Sequence, residues 1–247
     1  MKILSKKEFL NLNDRYAFKM SKDINIQKDA TKLLVKADKN YRWVHQNTWM
    51  GEPILNLPQD IIVAQEIIFK TKPDYIIETG VAWGGSVLFL ASMLKIFGGK
   101  KVIGVDTFLP KTVLKAINKR KSLKKNIILI KGSSTDEKTV RKIEKIINRS
   151  KKILVILDSN HTQDHVLKEL NIYSKFVKKG NYIICGDTIV EFIPKQKHRP
   201  REWGPGNNPF TALKIFLKKN NRFKIDKKIN NKLLLTCHPK GYVIAKK

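Results

Sequence analysis

The stretch Asp74-Tyr75-Ile76-Ile77-Glu78-Thr79-Gly80-Val81-Ala82-Trp83-Gly84-Gly85-Ser86 decides the fold. Its first half is a short apolar run that ends in an acidic residue, Glu78, and is typical of a buried strand. A glycine-containing turn follows, and the apolar segment from Val87 to Phe97 then has the character of a helix. Glycines let backbone N–H groups approach a ligand, and a helix N-terminus favours anionic groups. The stretch therefore predicts a strand-turn-helix unit at the entry to a nucleotide-type cofactor site.

The spacing of the glycines limits which cofactor the turn can bind. The dinucleotide fingerprint is Gly-x-Gly-x-x-Gly, whereas here three residues separate Gly80 from Gly84-Gly85. The pattern Glu-x-Gly-x-x-x-Gly-Gly-Ser is instead similar to the S-adenosylmethionine loop of class I methyltransferases. A second apolar run ends in Asp106, roughly twenty residues beyond the turn, where a carboxylate can accept hydrogen bonds from both ribose hydroxyls. The alternative is a tight turn without a ligand.

The composition is that of a globular chain in a reducing compartment. The 247 residues, 42% of them hydrophobic, suit one domain with a small appendage. The two cysteines, Cys185 and Cys237, have neither metal-binding nor disulfide-framework spacing. No apolar run approaches the ~18 residues that span a bilayer, and the N-terminus lacks the apolar region of a signal peptide. We therefore expect a cytoplasmic protein.

The formal charge of +29 is large, and lysines are spread along the whole chain. We interpret them first as a solvated surface. Contact with an anionic membrane face, at the inner side of the plasma membrane, or with a polysaccharide is the second interpretation. Nucleic acid is not expected as a partner, because the chain has no RNA-binding aromatic signature and no zinc-finger spacing.

Apolar strands alternate with helices through most of the chain. The strands are predicted at residues 75–78, 102–105, 127–130, 153–157 and 182–185, and helices at 86–97, 136–148 and 164–176. This alternation predicts an α/β fold with a mostly parallel sheet covered on both faces. Residues 233–237 and 242–245 flank His238-Pro239-Lys240-Gly241, which predicts a C-terminal hairpin whose last strand is antiparallel. Residues 1–48 are predicted to form an N-terminal helical extension to a domain at 49–247.

Polar residues follow five of the predicted strands. They are Glu78, Asp106, Gly132-Ser133-Ser134, Asp158 and Asp187. Ligands of open α/β sheets bind beyond the carboxyl ends of the strands, so we expect these residues to meet at one rim. The alternative for any single residue is that it caps the next helix.

Four segments make the chain similar to a known family. They are residues 77–86, residues 102–106, Leu157-Asp158-Ser159-Asn160-His161-Thr162-Gln163-Asp164-His165-Val166, and Trp203-Gly204-Pro205-Gly206-Asn207-Asn208-Pro209. On these segments the chain resembles the cephalosporin hydroxylase / rhamnosyl O-methyltransferase family, from about Trp49 to Tyr242. The resemblance implies a Rossmann-like class I methyltransferase three-layer sandwich. It also implies S-adenosylmethionine as cofactor and methyl transfer to a hydroxyl of a sugar, glycolipid or related small molecule.

The resemblance also assigns residues to the cofactor and to a metal. The cofactor-binding residues it implies are Glu78, Gly80, Ala82, Trp83, Gly84, Gly85, Ser86, Asp106, Ser133, Ser134 and Asp158. The family has a magnesium site, and here Asp158 and Asp187 match two of its acids. Gly186 stands where the family has a glutamate, which is a departure from the pattern.

His161 and Asp158 are the predicted catalytic residues. An alcohol needs a general base or a cation to become a nucleophile at neutral pH. In one design Asp158 and Asp187 hold Mg²⁺ beside His161. In another, His161 acts as a general base without metal, oriented by one of the two aspartates. A third interpretation is that His161 only caps the helix that begins at Thr162. His165 could pair with His161 on a metal, although a structural role is favoured.

Three further expectations concern the surroundings of the site. Residues 190–209 form a long polar loop that we expect to close over the acceptor, with Arg199 and Arg201 meeting an anionic group. Trp83 either shields the cofactor or, more often for such a loop residue, anchors packing. A homo-oligomer could form through the N-terminal extension. The competing functions are a nicotinamide-dependent oxidoreductase and a non-catalytic polyanion-binding protein on the same fold.

Overall fold

Seven strands form the central sheet of the computed structural model, which describes residues 3–150, 152–195 and 200–247. A separate two-stranded ribbon, β1 (Thr48–Trp49) with β2 (Glu52–Pro53), precedes it. The strands of the large sheet are β3 (Tyr75–Thr79), β4 (Lys101–Asp106), β5 (Ile127–Lys131), β6 (Ile153–Leu157), β7 (Tyr182–Cys185), β8 (Phe223–Ile225) and β9 (Tyr242–Ala245). The five strands predicted from apolar runs are confirmed, with ends that move by at most one residue.

The strands follow the order β5-β4-β3-β6-β7-β9-β8. The pairs from β5 to β7 are parallel, and β9 is antiparallel to both β7 and β8. The chain runs outward from β3 to β5 on one side and from β6 outward on the other, so the order reverses between β3 and β6. Ligand sites of open α/β sheets lie at such a reversal.

Helices cover both faces of the sheet. In chain order they are α1 (Lys6–Lys22), α2 (Ile24–Tyr41), α3 (Pro58–Thr71), α4 (Gly85–Phe97), α5 (Lys111–Lys119), α6 (Lys121–Lys124), α7 (Glu137–Ile147), α8 (Gln163–Tyr173), α9 (Pro209–Lys219) and α10 (Lys227–Asn231). Apolar residues of α3, α4 and α5 pack in one core, and those of α7, α8 and α9 pack in a second. The result is the predicted three-layer sandwich.

The sequence explains where these helices begin and end. Asp136 caps α7 by accepting the N–H of Lys138, and Asn208 caps α9 through a reciprocal bond with Thr211. Helix α4 ends at Gly98, which adopts the left-handed conformation that glycine favours. Within α7, Ile143 and Ile147 are four residues apart and both are buried, so one stripe of an otherwise polar helix faces the core.

The predicted C-terminal hairpin is wrong in its first strand. β9 is antiparallel as predicted, but its partners are β7 and β8 rather than residues 233–237. The reason is the buried carboxylate of Asp60 on α3, which accepts bonds from the Thr236 hydroxyl, the Cys237 N–H and the Tyr242 hydroxyl. These bonds hold the segment before β9 in an irregular path, where it cannot pair as a strand.

The two N-terminal helices bury few residues for their length. Helix α1 has no buried residue, and α2 buries Ala30 and Leu34. Leu34 packs in a small third cluster with Leu57, Ile189 and Cys237. A boundary between extension and domain near residue 48 stays a prediction. Across the described residues, none of the helices combines the length and the apolar character needed to cross a bilayer.

Candidate active site

The glycines of the first turn are required by close backbone contacts. A Cβ on Gly80 would lie 2.0 Å from the carbonyl oxygen of Asp158, and a Cβ on Gly85 would lie 2.2 Å from that of Pro53. Gly80 and Gly84 also have φ of +87° and +85°, where other residues are strained. Gly80 therefore lets the ends of β3 and β6 approach each other, and Gly85 lets α4 approach β2.

Asp106, at the end of β4, holds the turn in place. Its Oδ2 accepts the N–H groups of Val81 (2.8 Å) and Ala82 (3.3 Å), and its Oδ1 accepts the N–H of Phe108 (2.9 Å). A carboxylate has about four acceptor positions. The structure thus uses most of them for backbone groups, a role that sequence reasoning did not assign to Asp106.

Glu78 lies behind the turn and is buried, with 4% of its surface exposed. Burial raises the pKa of its carboxyl to about 8, a hydrogen bond from Ser86 opposes the shift, and the charge of Asp106 adds to it. The Oε2 atom is buried without a hydrogen-bond partner among the described residues. Such an orphaned acceptor is costly, and it is satisfied if a donor from a ligand or water reaches it.

A cavity of about 1260 Å³ opens at the carboxyl ends of the parallel strands. It exceeds the roughly 300–1,000 Å³ of a typical small-molecule site, so a cofactor and an acceptor fit together. The predicted site residues that line it are Gly80, Ala82, Trp83, Ser86, Asp106, Ser133, Ser134, Asp158, His161 and Asp187. Glu78, Gly84 and Gly85 are not part of its lining. Trp83 is 57% exposed at the cavity, which disfavours its interpretation as a packing anchor.

A polar cluster forms the wall near the end of β5. The Nε2 of His165 lies 3.1 Å from the hydroxyls of both Ser134 and Ser159, and Ser159 donates to the buried Glu169 (2.8 Å). His165 is thus tied to this wall rather than to His161. The structural role favoured for it agrees with these contacts.

Asp158, His161 and Asp187 come together in the cavity, where one ligand atom of each lies within 4.8 Å of the others. The Nε2 of His161 is 3.5 Å from the Oδ2 of Asp187. Burial, and then the neighbouring charges of Asp187 and Glu78, raise the pKa of Asp158 well above its ordinary value. His161 does not cap α8, because the N-cap residue is Thr162 and the N–H of Gln163 donates to Asn207 Oδ1. The cluster combines a proton acceptor with two acids that repel each other.

Gly186 closes off the position at which the resemblance implies a glutamate. A Cβ there would lie 2.6 Å from the Oδ1 of Asp158 and 2.8 Å from the carbonyl oxygen of Leu157. The backbone of residue 186 thus occupies the space beside Asp158 that a third acid would need. The departure changes the shape of the site as well as its charge.

His238 supports Asp187 and was not identified from the sequence. The N–H of Asp187 donates to His238 Nδ1 (3.0 Å), so the ring proton is on Nε2, which faces Asn56 Oδ1 at 3.1 Å. This bond fixes Asp187 in a left-handed conformation with φ of 48°. His238 is buried although the residues around it are polar in sequence. It is also 51 residues away from Asp187, so no sequence pattern indicates that the two residues are in contact.

The described part of the loop at 190–209 forms another wall of the cavity, and its closure over the acceptor stays a prediction. The ring of Trp203 meets the ring of His161 edge-on at 5.1 Å, and the guanidinium of Arg201 lies 5.2 Å from the centre of Trp203. Asn207 anchors the segment by accepting the N–H of Gln163 at the start of α8. Arg199 lies outside the described residues. The N-terminal extension adds Leu34, Val35, Asp38 and His45 to the cavity lining.

The sheet order with its antiparallel β9, together with a cavity at the β3/β6 reversal, is that of the class I methyltransferase fold. The chain belongs to the Rhamnosyl O-methyltransferase/CmcI family, whose sequence pattern it matches over residues 41–246. It is therefore an S-adenosylmethionine-dependent O-methyltransferase, as the resemblance predicts. Family membership sets aside both the nicotinamide-dependent oxidoreductase and the non-catalytic polyanion-binding protein.

Similar proteins agree with this assignment. The Rhamnosyl O-methyltransferase of Mycobacterium tuberculosis is 28% identical over 217 residues, which are 84% of each chain. An apo structure of CmcI has a TM-score of 0.60 at 20% identity and covers 82% of this chain and 77% of its own. A CmcI structure with Mg and SAM has a TM-score of 0.55 at 19% identity and covers 82% and 78%. At these sequence identities, the similarity to the two CmcI structures shows a shared fold.

Proposed function

We propose that this enzyme methylates a hydroxyl of a sugar, as part of a glycolipid or a related small molecule. The observation that carries the proposal is the placement of Asp158, His161 and Asp187 in the cavity that also contains the glycine turn. An acceptor oxygen between these three residues would lie beside the turn. The relatives named for rhamnosyl methylation support the sugar as acceptor class.

The turn and the adjoining strand ends would bind the cofactor. S-adenosylmethionine, when bound, supplies an activated methyl group on a sulfonium. Trp83 offers an exposed ring at the cavity wall and fits a ligand here, while Glu78 lies behind the turn, where its partnerless Oε2 would accept a donor from the ligand or from a bridging water. Gly80, Ala82, Ser86, Asp106, Ser133 and Ser134 line the same wall, while Gly84 and Gly85 would act through the shape of the turn.

His161 would act as the general base on the acceptor hydroxyl. Its Nε2 is directed toward Asp187 in the structure, and a small rotation would let it reach a hydroxyl in the cavity while Asp187 stabilises the protonated ring. The ring of Trp203 contacts that of His161 edge-on and would help to orient it. Alignment of the acceptor oxygen opposite the sulfonium can lower the barrier to methyl transfer by ~7–11 kcal/mol. The walls of the cavity would hold the acceptor in this alignment.

The residues present also fit a magnesium ion. Asp158 and Asp187 would hold it, because both are oxygen donors and their mutual repulsion, seen in the raised pKa of Asp158, would be relieved by a cation. Magnesium needs only one or two protein carboxylates, so the glycine at 186 does not prevent binding. When bound, the ion would lower the pKa of a hydroxyl beside it.

The proposed setting is the cytoplasm, at the inner face of the plasma membrane. A chain with a formal charge of +29 is attracted to anionic lipids, and a glycolipid acceptor would be found there.

Mass spectrometry of the products tests the acceptor class. The enzyme is incubated with S-adenosylmethionine and a panel of rhamnosides, other glycosides and simple phenols, each with or without magnesium. We expect a methyl group on a glycoside, and loss of about 10²–10⁴ in rate for His161→Ala with unchanged affinity for S-adenosylhomocysteine. Methylation of phenols alone would contradict the sugar acceptor, and full activity of His161→Ala would contradict the base.

A further inference from the structure

Large apolar side chains are exposed on the first two helices and in the residues just before them. Six of them, which we call the N-terminal apolar surface, are between 49% and 90% exposed: Ile3, Phe9, Leu10, Tyr16, Phe18 and Ile24. Helix α1 as a whole buries no residue. Exposed apolar residues are common on protein surfaces, so the charges beside these six residues decide which partner they fit.

The same segment is basic, and its acids are already engaged. Residues 3–28 contain six Lys or Arg and three Asp or Glu. Glu8 completes the capping box of α1, Asp14 pairs with Lys228 at 2.6 Å, and Asp23 caps α2. The cations have no such partners: within the described ranges, no carboxylate lies within ion-pair distance of the basic side chains of α1.

Two of these lysines lie beside aromatic rings of the surface. The ammonium of Lys19 is 5.7 Å from the centre of the Tyr16 ring, and that of Lys22 is 5.5 Å from the centre of the Phe18 ring. Aromatic rings with adjacent lysines are suited to the boundary between lipid headgroups and acyl chains. The ring would enter the apolar side of that boundary and the ammonium would contact phosphate.

We propose that the N-terminal apolar surface docks on an anionic membrane face. A second copy of the chain is a poorer occupant, because a two-fold interface would bring two basic segments against each other. Helix α2 also contributes Leu34, Val35 and Asp38 to the cavity wall, so docking through this helix pair would place the cavity beside the bilayer. The inference rests on the membrane location proposed above, but not on the proposed chemistry.

Vesicle flotation with the full-length protein tests the docking. Neutral vesicles of phosphatidylcholine are compared with vesicles containing about one third phosphatidylglycerol, at low and high salt. We expect binding to the anionic vesicles only, and weakening by salt. Lys19→Glu with Lys22→Glu should reduce the partition coefficient by about tenfold or more, since each lysine near the surface contributes appreciably.

Control variants with the same changes elsewhere on the protein distinguish an effect of this surface from a general effect of charge or hydrophobicity. Lys218→Glu with Lys219→Glu makes the same change in net charge at the exposed end of α9, and should bind nearly as wild type. Phe9→Ser with Tyr16→Ser should bind several-fold more weakly, whereas Ile62→Ser with Ile96→Ser, at exposed positions of α3 and α4, should not. Titration with S-adenosylhomocysteine should give the wild-type affinity for every variant, which separates docking from cofactor binding.

Three outcomes would overturn the proposal. They are equal binding to neutral and anionic vesicles, equal losses in the control variants, and light scattering that shows a dimer dissociated by Phe9→Ser with Tyr16→Ser. The last result would identify a second copy as the occupant of the surface.

Discussion

Gly186 is the residue at which this chain differs most informatively from the pattern of its family. Its backbone lies against the carboxylate of Asp158, so that even a Cβ would approach Oδ1 to 2.6 Å. The strand-end acids could be predicted from the sequence, because an acid after a buried apolar run marks the end of a strand. The contact at Gly186 could not, because it depends on the separation of the ends of β6 and β7.

Restoring a glutamate at this position should therefore fail to restore a metal ligand. We predict that Gly186→Glu lowers the free energy of unfolding by about 1–3 kcal/mol, as overpacking does, and leaves magnesium affinity unchanged or weaker. Calorimetric titration with Mg²⁺ and thermal unfolding measure the two effects. Gly204→Ala is the control, since its Cβ would meet the nearest atom at an ordinary 3.9 Å. A stable variant that binds magnesium tenfold more tightly would show that the backbone can move away.

The raised pKa of Glu78 predicts that the stability of the protein depends on pH. Its pKa is raised from 4.5 to about 8 in the folded protein, chiefly by burial. Between these values the unfolded chain has lost the proton that the folded chain retains, so stability falls as pH rises, by at most about 1.4 kcal/mol per pH unit. Below pH 4.5 both states are protonated and the effect vanishes.

Glu78→Gln removes this titration. Relative to wild type, the variant should become progressively more stable from pH 5 to pH 8 in urea unfolding without cofactor. The exposed Glu137→Gln serves as control and should show no such trend. Parallel stability curves for wild type and Glu78→Gln would mean that the carboxyl is already ionised in the folded state.

At the scale of elements, the sequence predicted a strand best where a single continuous run of residues forms it. The run at 153–157 is apolar throughout and the run at 75–77 is apolar up to Glu78, as expected for strands buried on both faces. The sequence predicted the structure least well where contacts with distant side chains determine the path of the backbone. Asp60 on α3 holds residues 236–242, and this removes the predicted strand at 233–237. The strand that replaces it, β8, has only three residues, too few for a periodic pattern.

The C-terminal segment before β9 has a second role, which is to present His238 to Asp187. His238→Ala should lower kcat by about 10–100-fold, as loss of an outer partner of a site residue does, with little change in affinity for S-adenosylhomocysteine. His238→Asn should recover part of the rate, because its Oδ1 can accept the N–H of Asp187 where Nδ1 does now. Steady-state kinetics and calorimetry on both variants make the comparison. Equal rates for the Ala and Asn variants would exclude the hydrogen bond as the cause.

At the scale of the whole molecule, the site follows from topology. The strand order reverses between β3 and β6, and the acids at the ends of β4, β6 and β7 meet around that point. The sequence predicted this convergence because parallel strands end at one rim. It placed the loop at 190–209 beside the site, but it did not predict the wall formed by α2, which approaches the cavity by tertiary packing alone.

The central claim is that this rim binds S-adenosylmethionine, and calorimetric titration of the wild-type protein with S-adenosylhomocysteine tests it most directly. One molecule should bind per chain, with a dissociation constant between about 1 μM and 1 mM, the range of typical KM values. NAD, titrated in parallel, should give no heat of binding. If S-adenosylhomocysteine does not bind, with or without magnesium, the central claim is contradicted.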